Sequence, residues 1–239
     1  MIWYQELGFK ENPFTIKPTH PHAYVGNQKT IEQITKSLTQ GKICVVHGKY
    51  GAGKTTFLKT IISQFEGKRR VIYFSCNRLL QSLDIDKLLY ERYLVTKWLK
   101  IRSKNMILLL DEANHLSEQD IQALYEYKKN GYLKSILFVT HHLDRLAIPK
   151  TMNRAVKQNT FAFDNSKTYT EIVRDRIGNH PLLPDPVIKA IYAKSSSMRH
   201  FLQNCDVFMR TMIAQKRKTA KIKDVSRITK VRCSKLSPP

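Results

Sequence analysis

The most constraining feature of this sequence is a glycine-rich loop between an apolar run, residues 43–46, and a stretch of helical periodicity, residues 55–65. Its residues are Gly48, Lys49, Tyr50, Gly51, Ala52, Gly53, Lys54 and Thr55. Glycines in such a loop let successive backbone N–H groups point inward and bind an anionic phosphate. The positive end of the following helix strengthens the attraction. The loop therefore predicts a phosphate-binding site between a strand and a helix.

Side chains at the end of the loop predict a nucleotide triphosphate with its metal. Lys54 places an ammonium group where the β- and γ-phosphates are expected, and Thr55 offers a hydroxyl ligand for Mg²⁺. Thr56 can contact the α-phosphate. Because the chain has nothing similar to the Asn-Lys-x-Asp guanine reader, the expected nucleotide is ATP. ATP and Mg²⁺ are thus the predicted cofactors.

A second motif supplies acids to complete this site. Residues 106–112 read Met-Ile-Leu-Leu-Leu-Asp-Glu, an apolar run followed by two carboxylates. A buried strand would deliver Asp111 to its carboxyl end, where Asp111 can hold Mg²⁺ through water. Glu112 can polarise the attacking water as a general base. The acid pair favours ATP hydrolysis over a small-molecule kinase, and the chain is predicted to be an ATPase.

The pattern of apolar runs predicts an α/β fold. From about residue 40 to 165, short runs rich in β-branched and aromatic residues alternate with amphipathic stretches. The runs predicted as strands are residues 43–46, 71–74, 106–110, 136–139 and 161–163. Between two of them, Ser117 and Asp120 have the spacing of a capping box that opens a helix. This alternation predicts a P-loop NTPase parallel sheet flanked by helices. After residue 163 only helix signals follow, which predicts a small all-helical lid domain. The expected boundaries are 1–165 for the ATPase core, 166–232 for the lid and 233–239 for a disordered basic tail.

The charge balance predicts a polyanionic partner. Lysines and arginines number 41 against 19 acidic residues, which gives a net charge of +22. Such an excess favours nucleic acid, so DNA is the expected partner of a basic surface. The basic stretch after Gln215 is one candidate contact with DNA phosphates. A solvated basic surface, or a helix end with favourable cations, remains an alternative.

The spacing of the cysteines and the length of the apolar runs indicate the cellular compartment of the protein. The four cysteines are scattered without a Cys-x-x-Cys pair, which predicts buried thiols in a reducing compartment, the cytoplasm. The longest apolar run, residues 106–110, is far below the ~20 residues that a membrane span needs. No secretory signal is expected at the N-terminus.

Together these motifs resemble those of AAA+ ATPases over roughly residues 10–230. Residues 169–177 and Met198–Leu202 are similar to the lid of the archaeal and eukaryotic replication-initiator (origin recognition) branch. Residues 12–14 and 24–26 resemble the start of the transposition and secretion helper ATPases, where Tyr24 and Val25 either lie beside the adenine or pack in the core. The resemblance implies ATP at the core/lid interface and an oligomer of AAA+ neighbours.

The same resemblance implies three further site residues. His141 follows the fourth predicted strand in the sensor-1 place, where the initiators have Ser-Asn and this chain has Thr140-His141. His141 would donate to the γ-phosphate. Arg154 stands where the family has the arginine finger that completes a neighbour's site. Arg199 takes the sensor-2 place, with serines before it where a glycine is usual.

The function expected from this resemblance is a nucleotide-controlled switch in a DNA-associated process, similar to replication initiation or transposition help. Initiators carry a winged-helix domain after the lid, and none is expected within these 239 residues. DNA contact is therefore expected from the ATPase and lid surfaces or from a partner. One alternative is a secretion-associated or protein-remodelling AAA+ ATPase without DNA. Another is an ATP-dependent scaffold with little hydrolysis.

Overall fold

The computed structural model of the protein describes residues 2–16, 26–65, 70–78, 82–90, 103–164 and 168–230. Contacts group the chain into two compact units. Residues 21–50 and 54–164 form the first, called here the sheet unit. Residues 1–20, 51–53 and 165–239 form the second, the helical unit. Tyr24, Val25 and the expected tail at 233–239 lie outside the described residues.

The described elements alternate between strands and helices up to residue 162 and are helical beyond it. In chain order they are α1 (Trp3–Glu6), α2 (Gln28–Thr39), β1 (Ile43–His47), α3 (Lys54–Ser63), β2 (Val71–Ser75), α4 (Ile85–Tyr90), β3 (Met106–Asp111), α5 (Glu118–Lys129), β4 (Leu133–Thr140), α6 (Asn153–Lys157), β5 (Thr160–Ala162), α7 (Tyr169–Ile177), α8 (Asp185–Ala193) and α9 (Met198–Ala214). Short 3₁₀ segments include Ala113–His115 and Ile222–Lys230.

The sheet is parallel and has five strands in the order β2-β3-β4-β1-β5. Every residue of β3 is buried, as are all but the second residue of β4. Because successive side chains of a strand point to opposite faces, such continuous burial means that both faces of the sheet are covered. The parallel sheet flanked by helices and the helical C-terminal region confirm the predicted fold class.

Register between strands fixes where the polar residues emerge. Ser75 of β2 lies beside Asp111, the last residue of β3, and His47 at the end of β1 lies beside Thr140 at the end of β4. Carboxyl ends of parallel strands share one edge of a sheet, so the loops that follow β1, β3 and β4 lie together there. This edge positions the candidate site.

A capping box fixes the start of α5 after this edge. Ser117 Oγ accepts from the Asp120 backbone N–H at 3.1 Å, and Asp120 Oδ2 accepts from the Ser117 backbone N–H at 3.0 Å. Asp120 Oδ1 also accepts from the Leu83 backbone N–H at 2.9 Å. These bonds satisfy donors that a helix start leaves open, which confirms the capping box predicted from the sequence.

The helical unit has its own apolar core, to which the N-terminal segment contributes. Trp3 and Phe14 are buried with residues of α7, α8 and α9. Trp3 Nε1 donates to Asp206 Oδ1 at 3.0 Å, and Asn12 Nδ2 donates to the same oxygen at 2.8 Å. Arg176 donates to the Pro13 carbonyl at 2.8 Å. These bonds explain why residues 1–20 group with the helices.

Candidate nucleotide site

The glycine-rich loop follows β1 and runs into α3. Gly51 and Gly53 have φ of 74° and 98°, in the left-handed region that favours glycine. Gly48 is required for a different reason, because a Cβ there would lie 2.5 Å from the Phe163 carbonyl oxygen. Gly51 and Gly53 thus allow the left-handed backbone of the loop, and Gly48 allows the Phe163 carbonyl to approach closely. A loop that points its N–H groups toward a ligand needs such backbone freedom.

Lys54 begins α3 with its side chain folded onto the loop. It is only 6% exposed, and its Nζ donates to the Gly48 carbonyl at 2.7 Å and to the Lys49 carbonyl at 3.0 Å. Burial lowers the pKa of Lys54, although Glu112 and Asp111 act in the opposite direction. The ammonium is therefore held inside the loop, close to both acids of the second motif.

Asp111 is held by contacts to both carboxylate oxygens. Its Oδ2 accepts from Thr55 Oγ1 at 2.8 Å and is 3.4 Å from the Tyr73 hydroxyl, while its Oδ1 accepts from the Glu112 backbone N–H at 3.0 Å. Asp111 is 3% exposed. The structure therefore brings together the hydroxyl and the carboxylate that the sequence predicts as metal ligands.

The donor set fits Mg²⁺ with a bound triphosphate. Mg²⁺ prefers oxygen ligands and usually takes one or two from protein, with phosphate oxygens and water completing the shell. Thr55 Oγ1 and Asp111 Oδ2 are such oxygens. The glycine positions of the loop and the buried Lys54 suit phosphate oxygens. These residues would hold the metal and the phosphates.

Glu112 follows Asp111 in the left-handed region, with φ of 56°. A side chain in this conformation costs about 1–2 kcal/mol, so surrounding contacts must hold the residue there. One such contact is from Glu112 Oε2 to His141 Nε2. The carboxylate that the sequence predicts as a general base is thus bonded to the residue predicted as sensor-1.

His141 lies directly after β4, which places it beside the end of β3. Burial lowers the pKa of His141 and Lys54 lowers it further, while Glu112 raises it. Its Nδ1 is buried and has no hydrogen-bond partner among the described residues. A neutral ring that donates from Nε2 to Glu112 fits these observations, since Nδ1 then carries no proton to satisfy. The Tyr50 ring packs edge-on against the imidazole, with centroids 5.4 Å apart.

The remaining predicted residues are placed as follows. Lys49 and Tyr50 are exposed at the tip of the loop, Ala52 is partly buried, and Thr56 lies in the first turn of α3. Arg154 is exposed on α6, in the sheet unit, as a residue that serves a neighbour would be. Arg199 is in the first turn of α9, and its backbone N–H donates to the Gly51 carbonyl at 3.1 Å within the helical unit.

Two residues at the site were not identified from the sequence. Tyr73 and Phe163 were predicted only as members of apolar strands. In the structure the Tyr73 hydroxyl lies 3.4 Å from Asp111 Oδ2, and the Phe163 carbonyl lies against Gly48. Phe163 also packs against Phe57 of α3, with ring centroids 5.0 Å apart. Their contacts depend on strand order, which the local sequence does not encode.

Comparisons with known proteins agree with this geometry. Residues 40–140 match the family described as AAA domain. No protein of curated function matches the chain by sequence. Among solved structures, Drosophila ORC bound to DNA has a TM-score of 0.70 at 16% identity, over 90% of this chain and 63% of that one. The chain therefore spans less than two thirds of the ORC chain.

Two further structures share the fold. The Aeropyrum pernix ORC1 protein in complex with DNA has a TM-score of 0.66 at 13% identity, over 92% of this chain and 69% of that chain. A mutant of Thermotoga maritima RuvB has a TM-score of 0.67 at 14% identity, over 90% and 73%. Residues 40–140 thus match the AAA domain family, and the chain has a fold similar to those of ORC and RuvB. The predicted resemblance to AAA+ ATPases, including the replication-initiator branch, is confirmed at the level of the fold.

Proposed function

We propose that the protein binds ATP with Mg²⁺ and hydrolyses it, and that this reaction is a switch in a DNA-associated process. The observation that carries the proposal is the hydrogen bond from Thr55 to Asp111, beside a buried Lys54 and next to Glu112. A phosphate-binding loop by itself would fit many nucleotide-binding proteins. The acid pair at the adjacent strand end adds what hydrolysis needs.

In the proposed reaction each residue has a separate task. Lys54 and the loop N–H groups bind and orient the β- and γ-phosphates. Mg²⁺, when bound, neutralises charge on the phosphate oxygens. Asp111 and Thr55 fix the metal's position, and Glu112 accepts a proton from the attacking water. His141 is assigned to the γ-phosphate side of the site and Arg154 to the site of a neighbouring subunit, which makes turnover depend on assembly.

Two observations support the DNA association. The chain carries a net charge of +22, which favours a polyanionic partner. Two of the similar structures, Drosophila ORC and Aeropyrum pernix ORC1, are described as bound to DNA.

We place the protein in the cytoplasm. In support, Cys44, Cys76 and Cys205 are buried thiols, and burial raises the pKa of Cys44 and Cys76 to about 12. Across the described residues, each helix is too short or too polar to cross a membrane.

One measurement tests the central proposal. ATP hydrolysis by the purified protein should be detectable with Mg²⁺, should increase with double-stranded DNA and should lose that increase as salt rises. Turnover indifferent to DNA would favour a protein-remodelling or secretion-associated role instead. Absence of turnover together with tight ATP binding would point to a scaffold.

The contact between Glu112 and His141 is the specific observation that favours the scaffold as a second candidate. A carboxylate that is hydrogen-bonded to an imidazole is a weaker acceptor for a proton from water. The bond to His141 also holds the Glu112 side chain, so that it is less free to contact an attacking water. His141→Ala separates the two functions. We expect turnover to fall about tenfold or more, because a donor to the γ-phosphate is lost. A rise in turnover would instead mean that His141 restrains Glu112.

A further inference from the structure

A short basic segment, residues 216–226, follows α9 in the helical unit. Five of its side chains are cationic: Lys216, Arg217, Lys218, Lys221 and Lys223. All five are exposed, and the one acid of the segment, Asp224, is buried at 1% exposure. The surface of this segment is therefore positively charged with no acidic group exposed within it.

The segment is ordered against the helical unit by its other residues. Ala220 and Val225 are buried in the apolar core of that unit. Asp224 Oδ2 accepts from the Lys221 backbone N–H at 2.9 Å, and Asp224 Oδ1 lies 3.7 Å from Arg217 Nη2. Ala220, Val225 and Asp224 thus face inward, whereas the lysines and Ile222 face outward. Cations held on one side of a fixed backbone lose less entropy on binding than those of a flexible tail.

Among the residues that the structure describes, the lysines of this segment have no acidic partner. Elsewhere in the helical unit, the half-buried Arg174 pairs with Asp185 and the exposed Arg210 pairs with Asp206. By contrast, within the described residues no acidic side chain pairs with Lys216, Lys218, Lys221 or Lys223. Their charge is available to an external anion.

The backbone conformation of Lys216, at the end of α9, is a second and independent observation. The N–H of Lys216 donates to the Ile213 carbonyl at 2.8 Å and that of Arg217 to the Met212 carbonyl at 3.0 Å, a Schellman ending for α9. The residue at the turn has φ of 51°, a place usually taken by glycine. A lysine is less stable there than glycine because its Cβ crowds the backbone. A lysine therefore occupies a position where glycine would make the backbone more stable.

We propose that the basic segment binds the phosphate backbone of double-stranded DNA, and this proposal rests on the DNA association proposed above. Several cations on one ordered backbone can contact neighbouring phosphates at once, and sequence-independent contact needs no base-reading groups. An anionic membrane is the less suitable partner, because membrane-surface segments expose an apolar face and here Ala220 and Val225 face the protein's own core. Ile222 is the large apolar residue that the segment exposes.

The test compares a charge-reversal variant with a matched control. Lys218→Glu/Lys221→Glu/Lys223→Glu changes the segment, and Lys10→Glu/Lys29→Glu/Lys189→Glu makes the same charge change at exposed lysines elsewhere. With a mixed-sequence duplex of about 30 base pairs, we expect the segment variant to bind about a hundredfold more weakly. We expect its salt dependence to lose about one unit of slope per lysine. The control should lose much less of both.

Lys216→Gly provides a variant that is expected to fold at least as well as the wild type, because glycine favours the left-handed conformation of this residue. Glycine should raise the temperature of unfolding, since it relieves the left-handed turn, and should weaken DNA binding severalfold. Higher stability with equal DNA binding would overturn the role of Lys216. Equal DNA binding by the wild type and the segment variant would overturn the proposal as a whole.

ATP binding and DNA-independent hydrolysis separate this proposal from the proposed function. Both should be unchanged in the segment variant, because none of the three lysines lies in the nucleotide site. A wild type that hydrolyses ATP without binding DNA would overturn both the DNA association and this inference. Binding to vesicles of phosphatidylcholine and phosphatidylserine in equal parts, lost in the segment variant while DNA binding is kept, would assign the segment to membranes and overturn the proposal.

Discussion

Glu112 is the residue whose substitution most directly separates binding from hydrolysis. Glu112→Gln keeps the size of the side chain and its capacity to accept from His141, while removing the carboxylate that is proposed as the general base. We expect turnover to fall by about 100-fold or more, the usual contribution of a general base. ATP affinity, measured by calorimetry, should stay within about threefold. A variant that retains full turnover would show that Glu112 is not the base.

Substitution of a proposed metal ligand should have a different effect. Asp111→Asn keeps an oxygen to accept from Thr55 but removes the charge that attracts Mg²⁺. We expect the Mg²⁺ concentration for half-maximal turnover to rise about tenfold or more, because a carboxylate is the stronger ligand for a hard cation. Titration of Mg²⁺ at saturating ATP measures this shift. An unchanged Mg²⁺ requirement would remove Asp111 from the metal site.

At single residues, the sequence predicted identities better than contacts. Thr55 and Asp111 were predicted to serve one metal, and the structure places them 2.8 Å apart. His141 was predicted to donate to a phosphate, whereas the structure shows it on Glu112. The difference has a physical cause, since a motif specifies which residues reach the strand ends but not which neighbours they bond there. The role of His141 toward ATP remains a prediction.

At the scale of elements, α5 offers a test of stability that leaves the nucleotide site alone. Burial acts to raise the pKa of Asp120, but hydrogen bonds from Ser117 and from the Leu83 and Ser117 backbone N–H groups outweigh it, and the net pKa is lowered. Asp120→Asn should therefore lower the free energy of unfolding at pH 7 by about 1–3 kcal/mol, because one of these donors loses its acceptor.

The pH dependence of that loss follows from the sign of the shift. A carboxyl with a lowered pKa in the folded state stabilises the protein above its unfolded pKa, about 4, and loses that contribution as pH falls through the folded pKa. Denaturation by urea should thus show a smaller difference between wild type and Asp120→Asn at about pH 3 than at pH 7. Glu118→Gln, at an exposed position in the same turn, serves as the control. An equal difference at both pH values would contradict the assignment.

Elements were predicted well where their signal is local. Apolar runs identified the strands, and the spacing of Ser117 and Asp120 identified the start of α5. Strand order and the packing of residues 1–20 were beyond local signals. The sequence boundaries joined residues 1–165, whereas contacts group 1–20 with the helical unit through bonds such as Trp3 to Asp206, 203 residues apart. No pattern within the segment itself indicates so distant a partner.

For the whole molecule, the proposed role of Arg154 would make activity depend on assembly. Arg154→Ala should reduce turnover by on the order of 10³, the contribution of an arginine finger. Its own nucleotide site should remain intact, so ATP binding at low protein concentration should be unchanged. Mixing Arg154→Ala with Glu112→Gln should restore part of the turnover, because some neighbours then combine one intact base with one intact arginine. Mixtures as inactive as their components would mean that Arg154 does not act between subunits.

The contact between His141 and Glu112 has a consequence for timing. If the base is tied to the imidazole after ATP has bound, then consumption of ATP must wait for a rearrangement whose rate does not depend on nucleotide concentration. The lifetime of the ATP-bound state, rather than the amount of it, would then decide how long a partner stays bound. A cell could lengthen or shorten that interval by stabilising one side-chain contact, without altering the affinity for ATP.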